Sequence, residues 1–140
     1  MRLTALLLTL AHPAAAWEFT PTPICTLTHA APEAEVVVTF DPGLPEYAIA
    51  VTLTEGTWPV APVFAMTFDG PYPLTIQTDQ HVLSDDRRTV TVRDTGFGNV
   101  LDGLEFNGIA VAYLGTTAAH LSLDGAAPAV RAFRDCPASV

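Results

Sequence analysis

Three groupings in this sequence could carry chemistry: a carboxylate beside an imidazole, a serine beside a histidine, and a glycine-rich turn. Asp79 and His81 are two residues apart. On a strand they share a face, because side chains alternate with period two. A carboxylate and an imidazole on one face can ligate a divalent cation, with Asp94 or Asp85 as a third ligand. The plainer reading is a solvated hairpin, since neither H-E-x-x-H nor another compact ligand motif is present. Ser84 stands near His81 and Asp85, which invites a hydrolase. The G-x-S-x-G pattern is absent, and a triad needs a base oriented between nucleophile and acid. At a hairpin tip, Ser and Asp satisfy backbone groups instead. Gly96-Phe97-Gly98-Asn99 begins like a phosphate-binding turn, but the sixth position is Leu101 rather than Gly. Its glycines are expected to take positive φ and let Phe97 pack closely. Asp94, Asn99 and Asp102 add oxygens without the spacing of a calcium loop. The sequence therefore nominates no catalytic residue, no cofactor-binding residue and no metal ligand. Trp58, Tyr72 and Phe97 fall in loops and are expected to plug the open ends of the fold.

Composition narrows the field further. The chain has 140 residues, 15 Asp+Glu, 6 Lys+Arg and a formal charge of −9. Such a surface repels phosphate backbones and anionic lipid, which argues against nucleic-acid and membrane-surface partners. All the basic residues are Arg, so Schiff-base and lysine-base chemistry is excluded. The length suits one domain with a real core.

The start of the chain reads as an export signal. Met1-Arg2 is a short positive start, and Leu3 to Leu10 is apolar apart from Thr4 and Thr9. Pro13 ends any helix, and Ala14-Ala15-Ala16 supplies an A-x-A cleavage site. Residues 1–16 are thus expected to be a signal peptide and 17–140 a single mature domain. The apolar run is too short to span a bilayer, which needs about 20 residues. No stable membrane insertion is expected after signal removal, and the location is periplasmic or secreted. Cys25 and Cys136 are the two cysteines of the chain. In an oxidising compartment they are expected to pair. A loop on the order of a hundred residues makes such a bridge worth about 4–5 kcal/mol in the chain-entropy model.

The elements that position these residues follow from periodicity. Glu35 to Phe40 is rich in β-branched and aromatic residues. Tyr47, Ile49, Val51 and Leu53 alternate with smaller residues, the mark of a half-buried strand. Phe64, Met66 and Phe68 alternate in the same way. Leu74 to Leu83, kinked near Gln80, is expected to form a hairpin with Thr89 to Arg93, turning at Ser84–Arg88, with Leu74, Ile76, Val90 and Val92 inward. Val100, Leu101 and Leu104 have turn or short-helix spacing. Gly108 to Leu114 is a strand whose inward residues are expected to be Ile109, Val111 and Tyr113, and a last strand runs from His120 to Leu123. Ala126, Val130, Phe133 and Cys136 have helical spacing, with Gly125 and Pro128 at its start and Arg131 and Arg134 toward its end. The fold class is mainly β: an antiparallel β-sandwich or flattened barrel of about eight short strands with one C-terminal helix.

The ending Leu121-Ser122-Leu123-Asp124-Gly125-Ala126-Ala127-Pro128-Ala129-Val130, closing with Phe133 and Cys136, resembles that of small exported alphaproteobacterial proteins. The invasion-associated locus B family is the best-known of similar design. Trp17 and Cys25 fit the same plan. The resemblance implies an exported, non-catalytic β-protein and supplies no functional residue. The expected function is that of a periplasmic binding or envelope-accessory protein with a protein or small-molecule partner. The alternative is a small hydrolase or metal-dependent enzyme using the Asp79, His81 and Asp94 region.

Overall fold

The computed structural model describes residues 16–137. The expected signal segment, apart from Ala16, lies outside them. Among the described residues ten strands form, each pairing antiparallel: β1 (Glu18–Thr20), β2 (Cys25–Ala30), β3 (Ala34–Asp41), β4 (Glu46–Leu53), β5 (Phe64–Asp69), β6 (Leu74–Thr78), β7 (Val82–Leu83), β8 (Thr89–Asp94), β9 (Ile109–Leu114) and β10 (Thr117–Ser122). Two helices join them, α1 (Gly98–Phe106) and α2 (Ala126–Asp135). One sheet has the order β1-β2-β3-β4-β8-β7 and the other β10-β9-β5-β6. Neither sheet closes on itself, so the fold is a sandwich and not a closed barrel. No helix among the described residues is long and apolar enough to cross a membrane.

The core is built by period-two alternation. Val36 faces Val51 and Val38 faces Ile49 across β3 and β4, all of them buried. Phe64, Met66 and Phe68 come from the opposite sheet and join the same cluster. Each such side chain contributes about 1.5–3 kcal/mol on burial. Trp58 is fully buried, and its Nε1 donates to the Val51 carbonyl at 3.1 Å. Phe97 is buried too, whereas Tyr72 stays 55% exposed, edge-on to Phe106. Of the three loop aromatics, Tyr72 therefore does not act as a plug.

Two expected strands differ in the structure. In β9 Ala110, Val111, Ala112 and Leu114 are buried, while Ile109 and Tyr113, expected inward, are exposed. Pairing gives the reason: Ala112 stands opposite Met66 and Ala110 opposite Phe68. The large residues of β5 fill the inner layer, and only small neighbours fit beside them. Ile109 and Tyr113 take the outer face in consequence, and Val111, which shares that face by alternation, is still buried. The segment from Leu74 to Leu83 is split as well. β6 pairs with β5 in the four-stranded sheet, and only Val82 and Leu83 pair with β8. Residues 79–81 carry the chain from one sheet to the other. The last strand also starts earlier than expected, at Thr117, after a two-residue turn opened by Gly115 with φ +58°.

The helices close one flank. Ala126, Val130 and Phe133 bury the inner stripe of α2, as their spacing implies. α1 is a true helix of nine residues, and Gly103 lets it approach the sheet. A Cβ there would stand 2.5 Å from the Phe68 ring. Arg134 on α2 donates to Glu105 Oε1 at 2.8 Å and to Asp102 Oδ1 at 2.6 Å on α1. Cys25 and Cys136 form the disulfide, tying β2 to the end of α2. Asn107 fastens the turn between β5 and β6. It accepts from Tyr72 N at 3.0 Å and donates to Tyr72 O at 2.7 Å and Gly103 O at 3.1 Å.

Candidate functional site

The site grows out of two strand edges that find no strand partner. β6 ends the four-stranded sheet. β8 has β4 along its whole length on one side, but β7 covers only Val90 and Thr91 on the other. Val92 to Asp94 therefore keep one edge free. The two sheets part between these edges and leave a cleft of about 760 Å³. That is within the range of small-molecule and peptide sites, roughly 300–1,000 Å³.

Alternation places apolar side chains on the cleft floor. Ile76 comes from β6 and Val92 from β8; Phe97 and Val100 come from the start of α1. Ile76 and Val92 are half-buried against the core, so the floor is the solvent-facing edge of the core itself. Phe97 is fixed from behind by Tyr47, ring to ring at 5.4 Å. The rim is polar, with Thr78 and Gln80 on one side and Asp94 and Asn99 on the other. Such a surface can bury an apolar group while hydrogen-bonding the polar groups around it.

Charge on the rim is sparse. Arg93 and Asp94 are its titratable groups among the described residues. The Arg93 guanidinium turns to Glu46, 3.7 Å away. Asp94 accepts from the backbone N–H of Thr95 at 2.6 Å and has no cationic partner among the described residues. The N-terminus of α1 opens on the same space without a side-chain cap.

The sequence candidates are distributed differently from expectation. Of Asp79, His81 and Asp94, only Asp94 lines the cleft. Asp79 accepts from the Gln80 side chain at 2.9 Å, and His81 Nε2 donates to the Ala61 carbonyl at 2.9 Å. No cluster of three or more His, Cys, Asp or Glu suited to a metal occurs among the described residues. Ser84 shapes its turn: it donates to Asp86 Oδ1 at 2.7 Å and accepts from Thr89 N at 3.0 Å. The Ser84 hydroxyl, with the Arg88 N–H, holds the Asp86 carboxyl below its ordinary pKa. Asp102 is bound by Arg134 and does not line the cleft with Asp94 and Asn99. His29 is buried and stacks on Trp17 at 4.6 Å. His120 pairs with Glu33, whose carboxyl accepts both the His120 backbone N–H and its ring nitrogen. These bonds hold Glu33 below its ordinary pKa.

The Gly96–Asn99 turn does border the site, but for another reason than expected. Neither Gly96 nor Gly98 has positive φ, and a Cβ on either would meet nothing within 4 Å. These glycines face open space and keep the mouth of the cleft wide. In the sequence Ile76 and Val92 read as ordinary inward residues; nothing in their strands' alternation says that the facing layer stops short of them. The chain matches no family model, no curated protein and no solved structure.

Proposed function

We propose that this chain is an exported binding protein, periplasmic or secreted, which holds its ligand in the cleft between β6 and β8. The observation that carries this reading is an apolar floor, left open to solvent inside a polar rim, at a gap between two sheets. Export is supported by the leader-like order of residues 1–16 and by a disulfide, which persists in oxidising compartments. The resemblance of the C-terminal segment to small exported β-proteins points the same way. The enzymatic alternative has one of its three residues, Asp94, in the cleft.

The test uses the mature, disulfide-bonded protein and the neutral dye Nile red. Dye fluorescence should rise on binding, and Val92→Phe, which fills the floor, should abolish the rise while leaving thermal unfolding unchanged. A dye signal unaffected by Val92→Phe would remove the cleft from consideration. Fractionation of the native host, probing for the mature chain, checks the location.

A further inference from the structure

Four strands end the two sheets, and three of these edges are blunted. β1 has three residues, is followed by Pro21 and Pro23, and packs against α2. β10 gives the backbone N–H of His120 to the Glu33 carboxylate. β7 is two residues long. β6 is guarded more lightly: Pro73 precedes it, Asp79 follows it and α1 touches it, but among the described residues no side chain bonds its outer backbone groups. It reads Leu74-Thr75-Ile76-Gln77-Thr78, without charge or proline, with β5 on one side and the cleft on the other. Proteins ordinarily guard such an edge with charge, proline, a bulge or a cover, because its free N–H and C=O groups template another strand.

We infer that β6 is a strand-addition edge that receives an extended, basic segment of another polypeptide. The inference rests on reading the cleft as a binding site and names the ligand class. Main-chain hydrogen bonds to β6 supply a sequence-independent part of the affinity. Side chains of an added strand alternate in direction. Half of them drop beside Ile76 onto Val92 and Phe97, which selects apolar residues at those positions. The other half project with Thr75 and Gln77 to the solvent side.

Charge complementarity sets the sign of the partner. The chain carries −9, and among the described residues the cleft's Asp94 has no cationic partner while Arg93 is directed to Glu46. A segment with lysine or arginine next to its apolar residues is drawn to this site. A second copy of the same chain is disfavoured for the same reason. Edge-to-edge pairing of two β6 strands would join two acidic surfaces and bring the two copies of Asp79, which follows β6, into one interface.

The experiment titrates the mature protein with a capped synthetic peptide of alternating valine and threonine ending in lysines. Backbone amide NMR and hydrogen exchange are read at Leu74–Thr78. A second peptide carries N-methyl groups on alternate amides, a third replaces lysine by glutamate, and Nile red is titrated in parallel. The expected result is slowed exchange in β6 with the first peptide. The methylated peptide should bind at least about tenfold more weakly, the loss of a few main-chain hydrogen bonds. The glutamate peptide should bind more weakly still than the lysine peptide at low salt, with the gap closing as salt rises. Equal binding of the methylated peptide, or protection outside β6, overturns the inference. Concentration-dependent protection of β6 in the protein alone, with self-association in sedimentation, replaces the peptide with a second copy and also overturns it. Nile red binding without peptide binding overturns the strand-addition edge and leaves the binding cleft standing; absence of both removes the cleft as well.

Discussion

Where β1 faces β10, the two sheets are stitched together. Trp17 Nε1 donates to the Ser122 carbonyl at 3.0 Å, Glu33 reaches from the β2–β3 turn to His120 on β10, and α2 with its disulfide lies over the flank. Where β6 faces β8, the sheets part around a cleft floored by Ile76 and Val92. One flank holds the covalent bridge and the Arg134 ion pairs; the other leaves strand edges unpaired. The contrast shows how a small domain can keep part of its apolar layer uncovered. Stability is concentrated on one side, so the other is free to be the low-stability, adaptable region from which binding surfaces are drawn.

The comparison can be broken most directly at the disulfide. Cys136→Ala should lower the unfolding free energy by about 4 kcal/mol, the value expected for a bridge closing a loop of this size. Urea unfolding of the mature protein measures it; a loss below about 1 kcal/mol would mean that the stitched flank owes its stability to packing alone. Adding volume separates the two sides next. Ala112→Leu places extra atoms where Met66 already fills the layer and should cost about 1–3 kcal/mol. Arg134→Ala should cost about 1–2 kcal/mol. It leaves Glu105, whose side chain is 7% exposed, with only Arg131 at 4.0 Å, and partial exposure of Arg134 lowers the cost from that of a fully buried pair. Val92→Phe, made on the cleft side, should change stability by no more than about 0.5 kcal/mol, because the new ring has open space to enter. Calorimetry of Ala112→Leu beside Val92→Phe gives the contrast in one experiment.

The smallest effect concerns pH. Glu33 has its pKa lowered from 4.5 by the hydrogen bonds from His120. The folded state thus favours the carboxylate, and its contribution is present above the unfolded value of 4.5 and lost as pH falls through the lower folded value. Glu33→Gln should be slightly less stable than the parent at neutral pH and should converge with it in acid. Parallel curves down to the most acidic point would separate Glu33 from the stitching of the two sheets.

What the sequence disclosed depended on whether local pattern or distant pairing set the outcome. β4 was legible because Ile49, Val51 and Leu53 alternate with small residues, and alternation is local. α2 and the disulfide were legible from the spacing of Ala126, Val130, Phe133 and Cys136 and from cysteine count. β9 was misread at Ile109 and Tyr113, though not at the buried Val111, because these three are the larger apolar set. Their phase is decided by Met66 and Phe68, more than forty residues away. The kink near Gln80 was visible, but a kinked strand and a strand that changes sheets have the same pattern. The cleft was invisible for a related reason. Ile76 and Val92 read as core residues, and only the layer that fails to cover them makes them a floor.

The bridge between Cys25 and Cys136 has a consequence for proteolysis. It encloses every described loop from the β2–β3 turn to the one before α2. A single protease cut anywhere in that span leaves both pieces covalently joined, and the cut ends remain held in the two sheets. A nicked molecule therefore keeps its mass, apart from one added water, until the disulfide is reduced. In a protease-rich surrounding, the chain can lose its continuity without losing its parts.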